Sequence, residues 1–480
     1  MTRPSVWERR RQQAPATREG PLTGGAWDVG VVGGGLTGLT TALLLARAGT
    51  RVVLIEAGRL GGGTTGRSTA KLSLLQGTML SRLRRRHSAE VVREYVEGHR
   101  TAQAWVARLC EEHGVATQSR PAYTYANGDD GRRSVEAEHA AAREAGLDAE
   151  WLDDVPLPFA TRGAVRLDGQ LQLDPLDLVD VLAAEAAHHG ATIVEGQRVT
   201  RVRGRSPVRL DLEGTDGTVN VDRLVLATNM PILDRGGFFA RMAPARSYSV
   251  AFRTPAPAVD GMYLSADQPS RSLRDAPGDG TGEGADGGGS LLLVGGNGHV
   301  TGRSTPTSRR LEEIRAWAHE RFPGAVETDA WSAQDSSPAH ALPYAGPLVP
   351  GQDRLLVAGG FSKWGMTGGV AAALAVSAEI LGGDTQQPEW ARAWRPWGRS
   401  EVGGVPGTAM LNAEVGLELA RGWVRPLRRD GTGDGVCTHL GGKLVWNDAE
   451  RSWDCPLHGS RFDEDGSVLE GPAVCPVRGL

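Results

Sequence analysis

Four cysteines in 480 residues are too few for a disulfide framework. No apolar segment follows the first basic residues, so no secretory leader is expected. No run of 18 or more apolar residues suggests a membrane span. There is no large charge excess either: the formal net charge is −4 and the pI about 6.3. That removes the general electrostatic reason to expect nucleic acid or a membrane surface as a partner. A second glycine motif of the kind that holds NADPH is also missing, which argues against monooxygenase chemistry. What remains is an ordinary globular composition, 40% hydrophobic and 23% charged. The length allows about three domains, and a reducing cytoplasm is the expected compartment.

What is present begins at Trp27. An apolar run, Val29 to Val32, meets Gly33, Gly34 and Gly35. Leu36, Leu39, Leu43, Leu44 and Ala46 then recur at helical spacing, and a second apolar run, Val52 to Ile55, ends on Glu56. Strand, tight turn, helix, strand and acid make the first βαβ unit of a dinucleotide-binding fold. Gly33 allows the turn, Gly35 lets backbone approach a pyrophosphate, and Gly38 lets the helix pack close to the strand. The helix N-terminus offers unpaired N–H groups and a positive dipole end. Glu56 is placed to accept hydrogen bonds from a ribose, and it would repel the extra phosphate of NADP.

Arg59 to Gly77 follows, rich in Gly, Thr and Ser, with Arg67 and Lys71 among them. Directly behind the ribose acid, such a loop can wrap phosphates. Helices are expected over 88–113, 134–145, 176–189 and 311–322, and strands over 164–173, 192–195, 199–202, 223–229, 248–252 and 291–294. Cys110 reads as a buried core thiol, and His188 and His189 as a helix end. Residues 1–25 read as a loose polar arm, and Arg9–Arg11 and Arg84–Arg86 as solvated surface. Asp275 to Ser290, nearly all Gly, Asp, Thr and Ala, reads as a flexible loop.

Arg354 to Gly383 repeats the opening logic: a strand, the stretch GGFSKWGMTGG, then an alanine-rich helix over 370–381. Two polar cradles at opposite ends of one region suggest one long cofactor held at both ends. Beyond it, tryptophans at 390, 394 and 397 mark a linker packed by aromatic anchors, with a short helix expected over 412–423.

The tail holds Cys437-Thr438-His439 and Cys455-Pro456-Leu457-His458. Each loop supplies one thiolate and one imidazole. A Rieske [2Fe–2S] centre needs that set, two Cys on one iron and two His on the other. Tetrahedral zinc also accepts Cys₂His₂, but zinc fingers usually pair Cys with Cys and His with His along the chain. Cys475 is outside ligand spacing and reads as a free thiol.

VVGGGLTGLTTALLLARAGTRVVLIEAG, GTTGRSTAK, RLVLATN and LLVAGGFSKWGMTGG resemble the D-amino-acid oxidase-like flavoprotein family. The tail is similar to the Rieske domain carried by one bacterial branch of it. The resemblance implies FAD rather than NAD, in an α/β Rossmann-like FAD-binding domain interleaved with an α+β substrate domain of mixed antiparallel sheet. A small all-β Rieske domain follows. The implied boundaries are an arm over 1–25 and an oxidoreductase unit over 26–385. Within that unit the FAD-binding parts are about 26–82, 171–235 and 340–385, and the substrate parts about 83–170 and 236–339. A linker covers 386–422 and the Rieske domain 423–480.

Carried over by motif, Gly33, Gly35, Leu36, Thr37, Gly38, Glu56 and Ala57 hold the ADP half. Thr64, Thr65, Gly66, Arg67, Thr69 and Ala70 line the pyrophosphate and ring, and Val199 meets adenine. Ala227 and Thr228 form the back of the site. Gly360, Phe361, Ser362, Gly365, Met366 and Thr367 meet the flavin end, and Cys437, His439, Cys455 and His458 ligate the cluster. Many Rieske domains carry two further cysteines joined as a disulfide. Gly442 and Leu457 stand there in this chain, which implies an unbraced cluster toward the lower part of the Rieske potential range.

The implied activity is oxidation of an amine or amino acid by hydride transfer to the flavin. Electrons then leave through the cluster to an external acceptor protein. Electron flow the other way, and a non-enzymatic electron carrier or redox sensor, are the alternatives. Lys363 is the candidate catalytic residue, with Arg246, Tyr248 and Trp364 as weaker candidates for the substrate pocket.

Overall fold

The computed structural model describes residues 3–11, 20–254, 258–278, 290–382, 387–424 and 435–480. Three sheets organise it. The first has the order Tyr344–Pro347, Leu355–Gly359, Thr218–Leu226, Gly25–Val32, Val52–Ile55, Thr192–Val194. All neighbours in that order run parallel except the edge strand Tyr344–Pro347. Val31, Leu54 and Leu356 are fully buried, as a parallel sheet covered on its faces requires. Helix Leu36–Arg47 packs on this sheet between helices Pro175–His188 and Gly365–Gly382.

Helix Gly365–Gly382 is long and apolar enough to cross a membrane by length and composition, but 67% of it is buried inside the protein. It is the core helix between Leu36–Arg47 and Ala89–His113. It also starts five residues earlier than the alanine run suggests, because glycines at 365, 368 and 369 are absorbed where neighbours press close. A Cβ at Gly369 would lie 2.5 Å from Thr37 Oγ1.

The second sheet has nine strands. Its long strands Val326–Pro338, Met242–Arg253 and Leu291–Val300 run antiparallel, and one pairing, Met262–Ser265 with Thr117–Tyr125, is parallel. The tail forms a four-stranded antiparallel sheet, Val445–Asn447 to Val468–Glu470.

Several sequence expectations fail here. The N-terminal arm is docked rather than loose: Val6–Arg10 is a helix with a Ser5–Glu8 capping box. Trp7 is 1% exposed and donates its indole N–H to Ser68 O at 2.8 Å. Arg9 and Arg11 are not free surface charges either, since they pair with Asp329 and Asp180. A five-residue helix has too little periodicity to show in sequence. Asp275 and Ala276 complete a buried strand, while residues 279–289 of the expected flexible loop lie outside the described residues. The helix expected from Asn412 begins at Val405, and Pro406 and Gly407 in its first turn are what reads as a break in sequence. The helix expected from Ser134 begins at Asp129, where two acids favour the N-terminal turn.

Candidate functional site

A cavity of about 240 Å³ runs across the carboxyl ends of the parallel strands. Gly33 turns the chain at φ +109, and a Cβ there would lie 2.5 Å from Ala227 O. Gly38 is tighter: a Cβ would meet Gly33 O at 1.9 Å, so only glycine lets the helix seat on the turn. Glu56 accepts from Gly34 N at 2.6 Å and Gly58 N at 2.7 Å. Burial holds its carboxyl above the ordinary range, against those two bonds.

Gly33, Gly35, Leu36, Thr37, Glu56, Ala57, Thr64, Thr65, Val199, Ala227, Thr228, Phe361, Gly365 and Met366 all line this cavity. Gly38, Gly66, Ala70, Gly360 and Thr367 are not on its wall. Gly38 supports the turn behind it, Gly66 N donates to Gly61 O, Ala70 is fully buried, and Thr367 hydrogen-bonds His99 Nδ1 at 2.6 Å. Gly360 takes φ +75, where a Cβ would lie 2.6 Å from Pro338 Cγ. Arg67, Thr69 and Ser362 face a second cavity instead.

That second cavity, about 310 Å³, lies between the first and the nine-stranded sheet. The two share Thr64, Ser68, Asp335, Lys363 and Met366 as a common wall. Ser362 and Lys363 both take positive φ, 52° and 75°, a strained pair for residues with side chains. Asp335 holds that turn by accepting from Lys363 N, and it accepts from Ser336 N at 2.7 Å. Burial raises its carboxyl and lowers the Lys363 ammonium, whose exposed surface opens onto the two cavities. Tyr248 and Trp364 line the second cavity.

Arg246 does not line either cavity. It is fully buried between the second sheet and the tail, 3.2 Å from Glu470 and 4.0 Å from Glu450. Arg461 completes the cluster, 3.1 Å from Asp454 and 3.3 Å from Glu470. An arginine in a strand reads alike in sequence whether it faces a substrate or a docked domain.

In the tail the four expected ligands form two pairs. The Cys437 and Cys455 thiols hydrogen-bond each other, which lowers the first and raises the second. The His439 and His458 rings lie 5.2 Å apart. Among the described residues no three His, Cys, Asp or Glu gather to hold one ion. Two thiols and two imidazoles are the donor set a Rieske cluster takes. His458 Nδ1 is buried without a hydrogen-bond partner, as a ring nitrogen aimed at a metal would be. Burial pushes its ring down to about 4, toward the neutral form that ligates. A Cβ on Gly442 would lie 2.8 Å from Leu457 Cδ1, so an apolar contact stands where other Rieske domains carry their disulfide.

The tail is pressed onto the first cavity. Leu469, Glu470, Gly471 and Val474 line it, which no motif in the tail announced. Gln334, also on its wall, donates to Gly459 O at 2.8 Å, one residue from His458. His439 Nε2 meets Asp234 Oδ1 at 2.6 Å, and Phe239 packs edge-on against both rings. Asp234 lies two residues beyond Ile232, another cavity-lining residue.

Comparison with known proteins agrees with this geometry. Residues 28–379 match the model of the FAD dependent oxidoreductase family, and residues 431–480 that of the Rieske [2Fe-2S] domain. A Bacillus subtilis (strain 168) protein, YhfW, named for a Rieske 2Fe-2S iron-sulfur protein, is 30% identical over 94% of this chain and 92% of its own. The iron-sulfur subunit of the Pisum sativum chloroplast cytochrome b6-f complex is 35% identical over 28% of this chain and 52% of its own. Glycine oxidase from Geobacillus kaustophilus shares the fold at a TM-score of 0.64 and 21% identity, covering 77% of this chain and 98% of that one. L-proline dehydrogenase from P. horikoshii does so at 0.60 and 18%, covering 78% and 98%. A dinucleotide cavity built of glycine turns, abutted by a thiol pair and an imidazole pair, therefore belongs to a member of the FAD-dependent oxidoreductase family that carries a C-terminal Rieske domain, with FAD and a [2Fe–2S] cluster as its cofactors.

Proposed function

We propose that this protein oxidises an amine or amino acid and passes the electrons through its own cluster site to an external acceptor protein. One observation supports this most: the loop from Asn229 to Phe239 walls the FAD cavity at one end and touches both cluster histidines at the other. FAD supplies a two-electron hydride acceptor and the cluster a one-electron relay. The chain supplies placement. Gly33, Gly35 and the N-terminus of Leu36–Arg47 would hold the pyrophosphate, Glu56 the ribose, and Phe361, Gly365 and Met366 the flavin end. Lys363 is the residue we assign to the reacting side, since among the expected site residues that border both cavities (Thr64, Lys363 and Met366) it is the one that carries a titratable group. There it anchors a substrate carboxylate or tunes the ring. We assign 26–82, 171–235 and 340–385 to FAD binding, 83–170 and 236–339 to the substrate side, 386–422 to a linker and 423–480 to the Rieske domain. A cytoplasmic location accords with this reading.

Anaerobic stopped-flow absorbance against a panel of amines and amino acids tests the proposal. Bleaching of the flavin band, followed by a slower change in the Rieske chromophore, is expected. His458→Ala should leave flavin bleaching intact and abolish the second phase. If no donor bleaches the flavin while dithionite reduces both centres, the reverse direction or an electron-carrier role replaces this reading.

A further inference from the structure

The second cavity carries an unbalanced charge. Arg67, Lys71, Arg82 and Lys363 line it, and Asp335 is the one carboxylate that does. Two of the cations are accounted for: Arg67 lies 3.6 Å from Glu8, and Lys363 is balanced by Asp335. Among the described residues, Lys71 and Arg82 are not. Lys71 Nζ bonds only hydroxyls, Thr69 Oγ1 at 3.0 Å and Ser272 Oγ at 2.6 Å. Burial, reinforced by the nearby Arg274 charge, pushes its ammonium down to about 7. Arg82 spends one N–H on the Met79 thioether at 3.2 Å, and its Nε is buried with no partner. Burial lowers it too. Glu138, a carboxylate off the cavity whose charge acts on Arg82, has its oxygens taken by the backbone N–H groups of Leu80 and Ser81.

A partly buried cation without a counter-ion is unfavourable, so two in one cavity are a liability unless a ligand answers them. Choice of residue adds to the argument. The chain holds three lysines in 480 residues, with arginine making up the rest of its 53 Lys and Arg, yet two of the three border this cavity. Lysine is the cation whose charge state an arriving anion can readily reset. Around the cations the wall is hydroxyl-rich, and the buried Ser247 and Ser362 hydroxyls there have no partner.

We infer that the substrate is an amine bearing two carboxylates, one met by Arg82 and the other by Lys71, with the amine-bearing carbon toward the Lys363 and Met366 wall. A volume of about 310 Å³ is ample for a small dicarboxylic amino acid. This inference rests on the amine-oxidation reading for the identity of the reacting group, but the dicarboxylate recognition can be tested without turnover.

The probes are succinate and glutarate, against butyrate and butylamine, titrated into oxidised FAD-loaded protein. The readouts are perturbation of the flavin absorbance band and the shift in Tm. Dicarboxylates should bind at least about ten-fold more tightly than butyrate, the equivalent of about 1.4 kcal/mol. Arg82→Met and Lys71→Met should each erase that preference. Lys71→Met removes an unpaired, partly buried charge and should raise Tm in the absence of ligand, so this variant remains testable if Arg82→Met fails to fold. Equal binding of mono- and dicarboxylates, no binding of either dicarboxylate, or a preference unchanged in Lys71→Met would each overturn the inference. Dicarboxylate binding with no flavin reduction by any amine would uphold the recognition and sink the oxidation reading. Reduction by monocarboxylic or uncharged amines, without dicarboxylate binding, would do the reverse.

Discussion

The two cavities are neighbours with a shared wall, yet they are built by different means. The first is made of backbone. Its glycines are fixed by close approach, as at Gly38, where a Cβ would sit 1.9 Å from Gly33 O. The second is made of side chains brought together from strands, a short helix and a turn that are distant in sequence: Lys71, Arg82, Tyr248, Ser272 and Lys363. A backbone site serves any molecule with a pyrophosphate, and the same turn can appear in many chains. A side-chain site sets which molecule reacts. The comparison teaches where change is tolerated. Alteration of the first cavity should remove the cofactor and the fold with it, while alteration of the second should retune selection on an intact scaffold.

The sharpest break would be Gly38→Val. Its side chain has no space, and the helix must lift from the turn, so purified protein should contain no FAD and should show no cooperative unfolding transition. Retention of stoichiometric FAD would mean that the backbone account of the first cavity is wrong. Arg246→Met should come next. It leaves the buried Glu450 and the half-buried Glu470 beside one cation fewer, a loss of about 3–5 kcal/mol for a broken buried network. Thermal unfolding should then show the tail released at lower temperature, with the FAD cavity opened along Leu469 to Val474. Trp7→Ala should cost somewhat less, about 3 kcal/mol from the cavity left behind. Because Trp7 holds Ser68, a residue on the wall between the cavities, this variant should weaken FAD retention and ligand binding together in a titration. If only one weakened, the shared wall would not be acting as a unit.

The contrast between the cavities also explains what could be read in advance. Strand, glycine turn, helix and Glu56 are consecutive, so local spacing carried them, and the Cys and His pairs of the tail are short-range in the same way. Arg82 carried no signal, because one arginine in a short helix looks like the exposed Arg84 two residues later. Arg246 was read toward the substrate and turned out to face the tail. The docked arm was missed because Trp7 gains its burial from Ser68 and Arg274, which are remote in sequence.

By itself the sequence determined the dinucleotide turn, the place of Glu56 behind it and the paired Cys and His spacing of the tail. Each depends on φ freedom, helix geometry or metal preference within a few residues, and these are local properties of the chain. Only the tertiary structure decided that the tail walls the dinucleotide cavity, that Asp234 and Phe239 meet His439 and His458, and that among the described residues Lys71 and Arg82 stand in the second cavity without a carboxylate partner. Those facts follow from packing between sheets separated by hundreds of residues, where burial and missing counter-charges, rather than residue spacing, set the chemistry.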